Sequence, residues 1–124
     1  MKNNVSVSIQ GKATVIGHQI AVADSSATRF LGLMGKRSLD SDSGLWIIPS
    51  SGVHTCWMRM NIDVVALDKT HRVIGLGHSV PPWRLSGLSS KTRSVLELSA
   101  GRIRACEIEL GDVLVITKNA SKEA

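Results

Sequence analysis

The stretch Gly52 to Asp68, GVHTCWMRMNIDVVALD, gathers an imidazole, a thiol, a thioether, a guanidinium and a carboxylate in front of an apolar run. Read as an extended chain, VHTCWM alternates its side chains, so His54, Cys56 and Met58 share one face and Thr55 and Trp57 the other. Imidazole, thiolate and thioether on one strand face would suit a soft ion such as Cu(I). Zinc sites announce themselves by paired ligands, and this stretch has no such pairing, so neither a metal nor a cofactor is expected. The same face offers Cys56 as a nucleophile with His54 as its base. Side chains two apart on a strand stand roughly 7 Å apart at the backbone, however, and no glycine-framed elbow or oxyanion hole accompanies the pair. The competing structural account is simpler. Cys and Met are ordinary core residues, and the stretch is then the seam where a polar loop enters a core strand.

Two carboxylates and three arginines extend the candidate set. Asp63 precedes the apolar run VVAL and lies near Arg59, so an arginine fork or the backbone amides of a turn would hold it at the mouth of the core. Arg29, off the apolar stripe of its own helix, is a second partner for Asp63 or for Glu97. Glu97 sits inside VLELS on the same side as Val95 and Ser99, where a carboxylate is either solvated on an outer face or paired in a pocket. Asp63 and Glu97 together would supply an acid/base pair if the fold brought them close. The segment SVPPWRLSGLSS carries Trp83 and Arg84 beside two prolines, a stiff apolar face next to a planar cation, as recognition surfaces use. Folding of Trp83 back onto the core, with Arg84 in solvent, is the alternative.

The elements that must position these groups are mostly strands. SVSIQ and KATVIGHQIAVAD alternate with period two, and Gly17 between ATVI and QIAVA supplies a turn, which predicts an antiparallel hairpin. In DSSATRFLGLMGKRSL, Asp24 or Ser25 caps, Ala27, Phe30, Leu31 and Met34 recur at helical spacing, and Gly35 stops the element, which predicts a helix from about Ser25 to Met34. GLWIIP, VHTCWM, DVVALD, RVIGLGH and RSVLELS read as short strands, and AGRIRAC as a short helical turn before LGD leads into a last strand. Trp46 and Trp57 are expected in the core. These elements predict a mostly β (α+β) fold, a small barrel-like antiparallel or mixed sheet with one or two short helices on its rim.

A chain of 124 residues with 43% hydrophobic content suits a single domain over 1–124, with the tail 118–124 expected to be disordered. The net charge of +5 is spread from Lys2 to Lys122, which argues against a dedicated nucleic-acid stripe. No segment approaches the roughly 18 apolar residues of a membrane span. The N-terminus lacks the continuous apolar stretch of a signal peptide, so a cytoplasmic location is expected. Cys56 and Cys106 form no CxxC pair and read as free thiols.

Taken in order, RFLGLMGKRSL, GLWIIP, VHTCWMRMNIDVVALD, PPWR and VLELSAG resemble the small prokaryotic family catalogued as domain of unknown function 192, over about Gly11 to Ile116. The resemblance implies a compact, largely β fold with short helices and leaves the activity open. It marks Arg29, Gly32, Leu33 and Met34, then His54, Met58 and Asp63, then Leu96 and Glu97. This chain departs from the pattern at Lys36, Asn61, Ala66, Ser99 and Cys56, the last standing where an aromatic is often found. Many relatives are exported.

The functional expectation is a small β-rich binding or accessory module. A small ligand or a protein partner would be recognised at a polar and aromatic surface built from Arg29, His54, Met58, Arg59, Asp63, Trp83, Arg84 and Glu97. An enzyme using Asp63 with Glu97, or Cys56 with His54, is the alternative. Nucleic-acid binding by charge alone is the third, and it lacks interleaved aromatics.

Overall fold

The structure, a computed structural model, describes residues 4–119. Its first element, β1 (Asn4–Ile9), buries Val5, Val7 and Ile9 in strict alternation and pairs antiparallel with β2 (Val15–Ala23). The chain reverses not at Gly17 but through Gln10 to Thr14, where Gly11 takes a φ of +81° and the Ile9 amide donates to Thr14 O at 3.2 Å. Gly17 lies inside β2, where a Cβ would stand 2.8 Å from the backbone oxygen of Asp42. The missing side chain there serves close approach of a neighbouring segment, which looks the same as a turn signal in sequence.

Ser25 caps α1 (Ser26–Leu31) through a reciprocal box with Thr28. The helix is shorter than its apolar periodicity predicts, because Gly32 rather than Gly35 ends it, at a φ of +50°. After this come β3 (Ser43–Ile47), β4 (Val53–His54), β5 (Ile62–Leu67), β6 (Val73–Val80), β7 (Leu85–Ser86), β8 (Ser94–Ser99), α2 (Arg102–Cys106) and β9 (Leu114–Lys118). The predicted strand over VHTCWM keeps only its first two residues. Beyond His54 the chain turns at Cys56 and Trp57, the latter with a φ of +68°.

Seven strands form one mixed sheet in the order β6-β5-β8-β3-β2-β1-β9, with β4 and β7 paired separately. Among the described residues only β2 and β3 run parallel, Gln19 to Ala23 against Ser43 to Ile47. The fold is predominantly β, as expected, but the sheet does not close into a barrel. Its edge strands meet at a single bridge, Arg72 with Val113, where β9 begins and β6 begins. Lys118 completes β9, and Asn119 donates from its side chain to His18 O at 2.8 Å, so both belong to the folded part; the rest of the expected disordered tail lies outside the described residues.

The central strands β5 and β8 are buried on both faces, which explains their nearly continuous apolar sequences. One face builds a core from Val5, Val7, Ile20, Val65, Leu96, Leu98 and the α2 residues Ile103 and Cys106. The opposite face builds a second core from Ala23, Leu33, Leu45, Ile47, Val53, Met58, Val64 and Val95. This second core underlies the candidate site. No helix among the described residues is long and apolar enough to cross a membrane.

Candidate functional site

Cross-strand register decides where the two carboxylates point, because directly opposed residues share a face. Glu97 opposes Leu45 on β3 and Val64 on β5, so its side chain joins the second core. Asp63 opposes Leu98 and points into the first. The pair therefore cannot act together, and the condition on which the alternative acid/base reading rested is not met.

Asp63 is 0% exposed and fully employed in structure. Its Oδ1 accepts from the Ser79 amide and its Oδ2 from the Ile103 amide, both at 2.8 Å. The second bond satisfies one of the orphan N–H groups opening α2, whose own N-cap, Gly101, has no side chain to offer. Neither Arg59 nor Arg29 makes an ion pair with it. Among the described residues the ion pairs are Lys12 with Glu109 and Asp112, and His18 with Asp42.

Glu97 is 3% exposed, and its Oε1 has no hydrogen-bond partner. Burial among aliphatic side chains pushes its carboxyl up to about 7, against an ordinary value of 4.5. The carboxyl lines a cavity of about 420 Å³ together with Arg29, Leu33, Met34, Ile47, His54, Cys56 and Met58. Gly32 stands beside it, since a Cβ on that residue would lie 3.7 Å from Oε1. That glycine both ends α1 and leaves room next to the acid.

The walls are positioned by short, locally determined elements. Leu33 and Met34 follow directly from the Gly32 cap, and the partly buried Arg29 is held by α1, its Nη1 donating to Asp24 O at 2.9 Å. His54 ends β4, and its Nδ1 accepts the Cys56 amide at 3.2 Å, which puts the proton of the neutral ring on Nε2. With Nδ1 engaged by that amide, it is not the base that would ionise the Cys56 thiol. The Phe30 ring meets His54 edge-on at 6.2 Å and is 66% exposed, so this ring stands at the cavity rim and not in a core. Groups of three His, Cys, Asp or Glu able to hold a metal are absent among the described residues.

Beside the cavity lies an aromatic ledge. Trp57, expected in the core, is 62% exposed, and Trp83 is 55% exposed; their rings contact edge to face at 4.8 Å. Both backbones carry a φ of +68°. Arg84 is exposed, like Arg59. The residue that joins the ledge to the cavity wall went unnoticed in the sequence. Thr55, fully buried, donates through Oγ1 to Pro81 O at 2.7 Å and accepts the Arg84 amide at 2.8 Å. Its backbone amide donates to Arg84 O and its carbonyl accepts from Trp83 N. A β-branched hydroxyl inside a polar stretch carries no signal of such a role before its partners are known.

Of the predicted site residues, the fold brings Arg29, His54, Met58 and Glu97 together at one cavity, and sends Asp63 to the far face of the sheet. Trp83 pairs with Trp57 at the ledge, and Arg59 and Arg84 stand in solvent.

A family model, DUF192, described as "Uncharacterized ACR", matches residues 5–116. A UPF0127 protein of Pyrococcus furiosus is 30% identical over 108 residues, 83% of this chain and 90% of that one. A UPF0127 protein of Thermococcus kodakarensis is 27% identical over 110 residues, 85% of this chain and 69% of that one. Two crystal structures share the fold. A protein of unknown function from Novosphingobium aromaticivorans has a TM-score of 0.78 at 20% identity, covering 89% of this chain and 83% of that one. One described as a putative transcription regulator from Sinorhizobium meliloti has a TM-score of 0.76 at 18% identity, covering 92% of each chain.

Proposed function

This chain belongs to the DUF192 family of uncharacterised proteins, and on that premise we propose that it is a binding module whose Arg29–Glu97 cavity takes the apolar part of a small ligand. One observation carries the reading: a buried carboxyl, without a partner at Oε1, stands in the wall of an apolar cavity open to solvent. Folding alone gives no return for such a group, since desolvating an unpaired acid opposes stability. A volume of about 420 Å³ falls within the range of about 300–1,000 Å³ usual for small-molecule sites.

The ledge supports a protein-facing extension of the same site. Two exposed tryptophans held at positive φ oppose folding on two counts, solvent exposure and backbone strain, and both features concentrate at recognition surfaces. Titration of hexanol into isotope-labelled protein, followed by amide resonances, tests the cavity directly. Shifts centred on Gly32, Leu33, Val53 and His54 are expected. Shifts confined to other surfaces, or none, remove the reading.

A further inference from the structure

Resting on that reading of the cavity, we infer that its ligand carries an aliphatic primary ammonium group, seated on the Glu97 carboxylate with its hydrocarbon stem between Leu33, Met34, Ile47 and Met58. The geometry supplies both halves of the recognition. Oε1 of Glu97 is the unpartnered acceptor, and the glycine beside it leaves space for a head group instead of a side chain. The named walls are thioethers and branched aliphatics, which match a flexible methylene stem.

An acceptor buried in this way selects among head groups. A carboxylate ligand would bring a second anion against Glu97. A hydroxyl would satisfy Oε1 without offsetting the charge of the ionised acid. An ammonium does both, and a charge-assisted bond is roughly twice as strong as a neutral one. The other charged or titratable groups on the cavity wall are Arg29 of α1, His54 of β4 and Cys56 in the turn after it, whereas the strand neighbours of Glu97, Leu45 and Val64, are apolar. Arg29 directs Nη1 to Asp24 O and makes no ion pair with Glu97, so the carboxyl is left for the ligand.

Binding changes no covalent bond except the carboxyl O–H. Below neutral pH the acid holds its proton, and seating an ammonium on it converts Glu97 to carboxylate and releases that proton to the buffer. Hexylamine, hexanol and hexanoate titrated calorimetrically into the full chain at pH 6 and pH 8, in two buffers of different ionisation enthalpy, test this. Saturable hexylamine binding is expected, about tenfold tighter at pH 8 than at pH 6 for an acid ionising near 7, with a proton released at pH 6. E97Q, whose amide resonances away from the cavity should be unchanged and so report an intact fold, should weaken hexylamine by at least about tenfold. Hexanol or hexanoate binding as tightly as hexylamine overturns the head-group assignment and leaves the cavity reading standing. So does E97Q binding hexylamine as the unsubstituted chain does. Absence of binding by all three probes overturns both.

Discussion

Replacing Glu97 by leucine should stabilise the protein, and increasingly so as pH rises. The carboxyl titrates at about 7 in the fold, against 4.5 ordinarily, because leucine and valine side chains surround it where water would otherwise be. A folded value above the unfolded one means the contribution is fully present below pH 4.5 and is lost as pH climbs through 7. At about 1.4 kcal/mol per pH unit of displacement, ionised Glu97 opposes folding by about 3 kcal/mol at pH 8. E97L has no charge to desolvate, and leucine suits the aliphatic face that Leu45 and Val64 already form. For a chain of this size about 3 kcal/mol corresponds to a rise in Tm on the order of 10 °C. Urea or thermal unfolding of both proteins from pH 4 to pH 8.5 measures the gap. Asp42 and Asp68, whose carboxyls are held low mainly by bonds from His18 and from Thr70, lose their contributions on acidification in both proteins alike, so the difference profile isolates Glu97. A gap that fails to widen between pH 4.5 and pH 7, or an E97L that is less stable at pH 8, would refute the reasoning. Such a gain would show that Glu97 is not kept for stability, as the binding reading requires.

D63A should lower stability by about 3 kcal/mol, since it strips the acceptor from the Ser79 and Ile103 amides, the latter buried; hydrogen exchange at Ile103 should accelerate beyond the global change. T55V keeps the shape of the side chain while removing both the donor to Pro81 O and the acceptor for the Arg84 amide. A loss of about 1–3 kcal/mol and altered tryptophan fluorescence from the ledge are expected, and an unchanged melting curve would contradict the role assigned to Thr55. The double variant W83A/R84A, at two exposed positions, should leave Tm within a few degrees while abolishing binding of any partner the unsubstituted chain captures. A large fall in Tm would make the ledge structural.

Much of the strand framework was legible along the chain. β1, β8 and the β5–β6 pair followed from period-two alternation or short apolar runs between turn residues, and the Gly111 turn into β9 from its composition. Of the residues that the family resemblance marked, Arg29, Gly32, Leu33, Met34, His54, Met58 and Glu97 line the cavity, whereas Asp63 and Leu96 belong to the opposite face. Their individual roles were not legible. Gly17 reads as a turn because sequence does not distinguish a glycine that bends the chain from one that lets Asp42 approach. Trp57 reads as core because its size is visible and its φ of +68° is not.

Asp63 and Glu97 show most plainly what the tertiary structure decided. Each is an acid inside an apolar run, and local sequence treats them alike. Strand register then assigns them to opposite faces of the sheet, by the odd and even steps of paired β5 and β8. On one face the amides of Ser79 and Ile103 converge on Asp63 and make it structural; on the other no donor reaches Oε1 of Glu97. Those donors come from elements distant in sequence, so the sequence by itself placed two acids inside apolar runs, while long-range pairing determined that both are buried and which one was left without a partner.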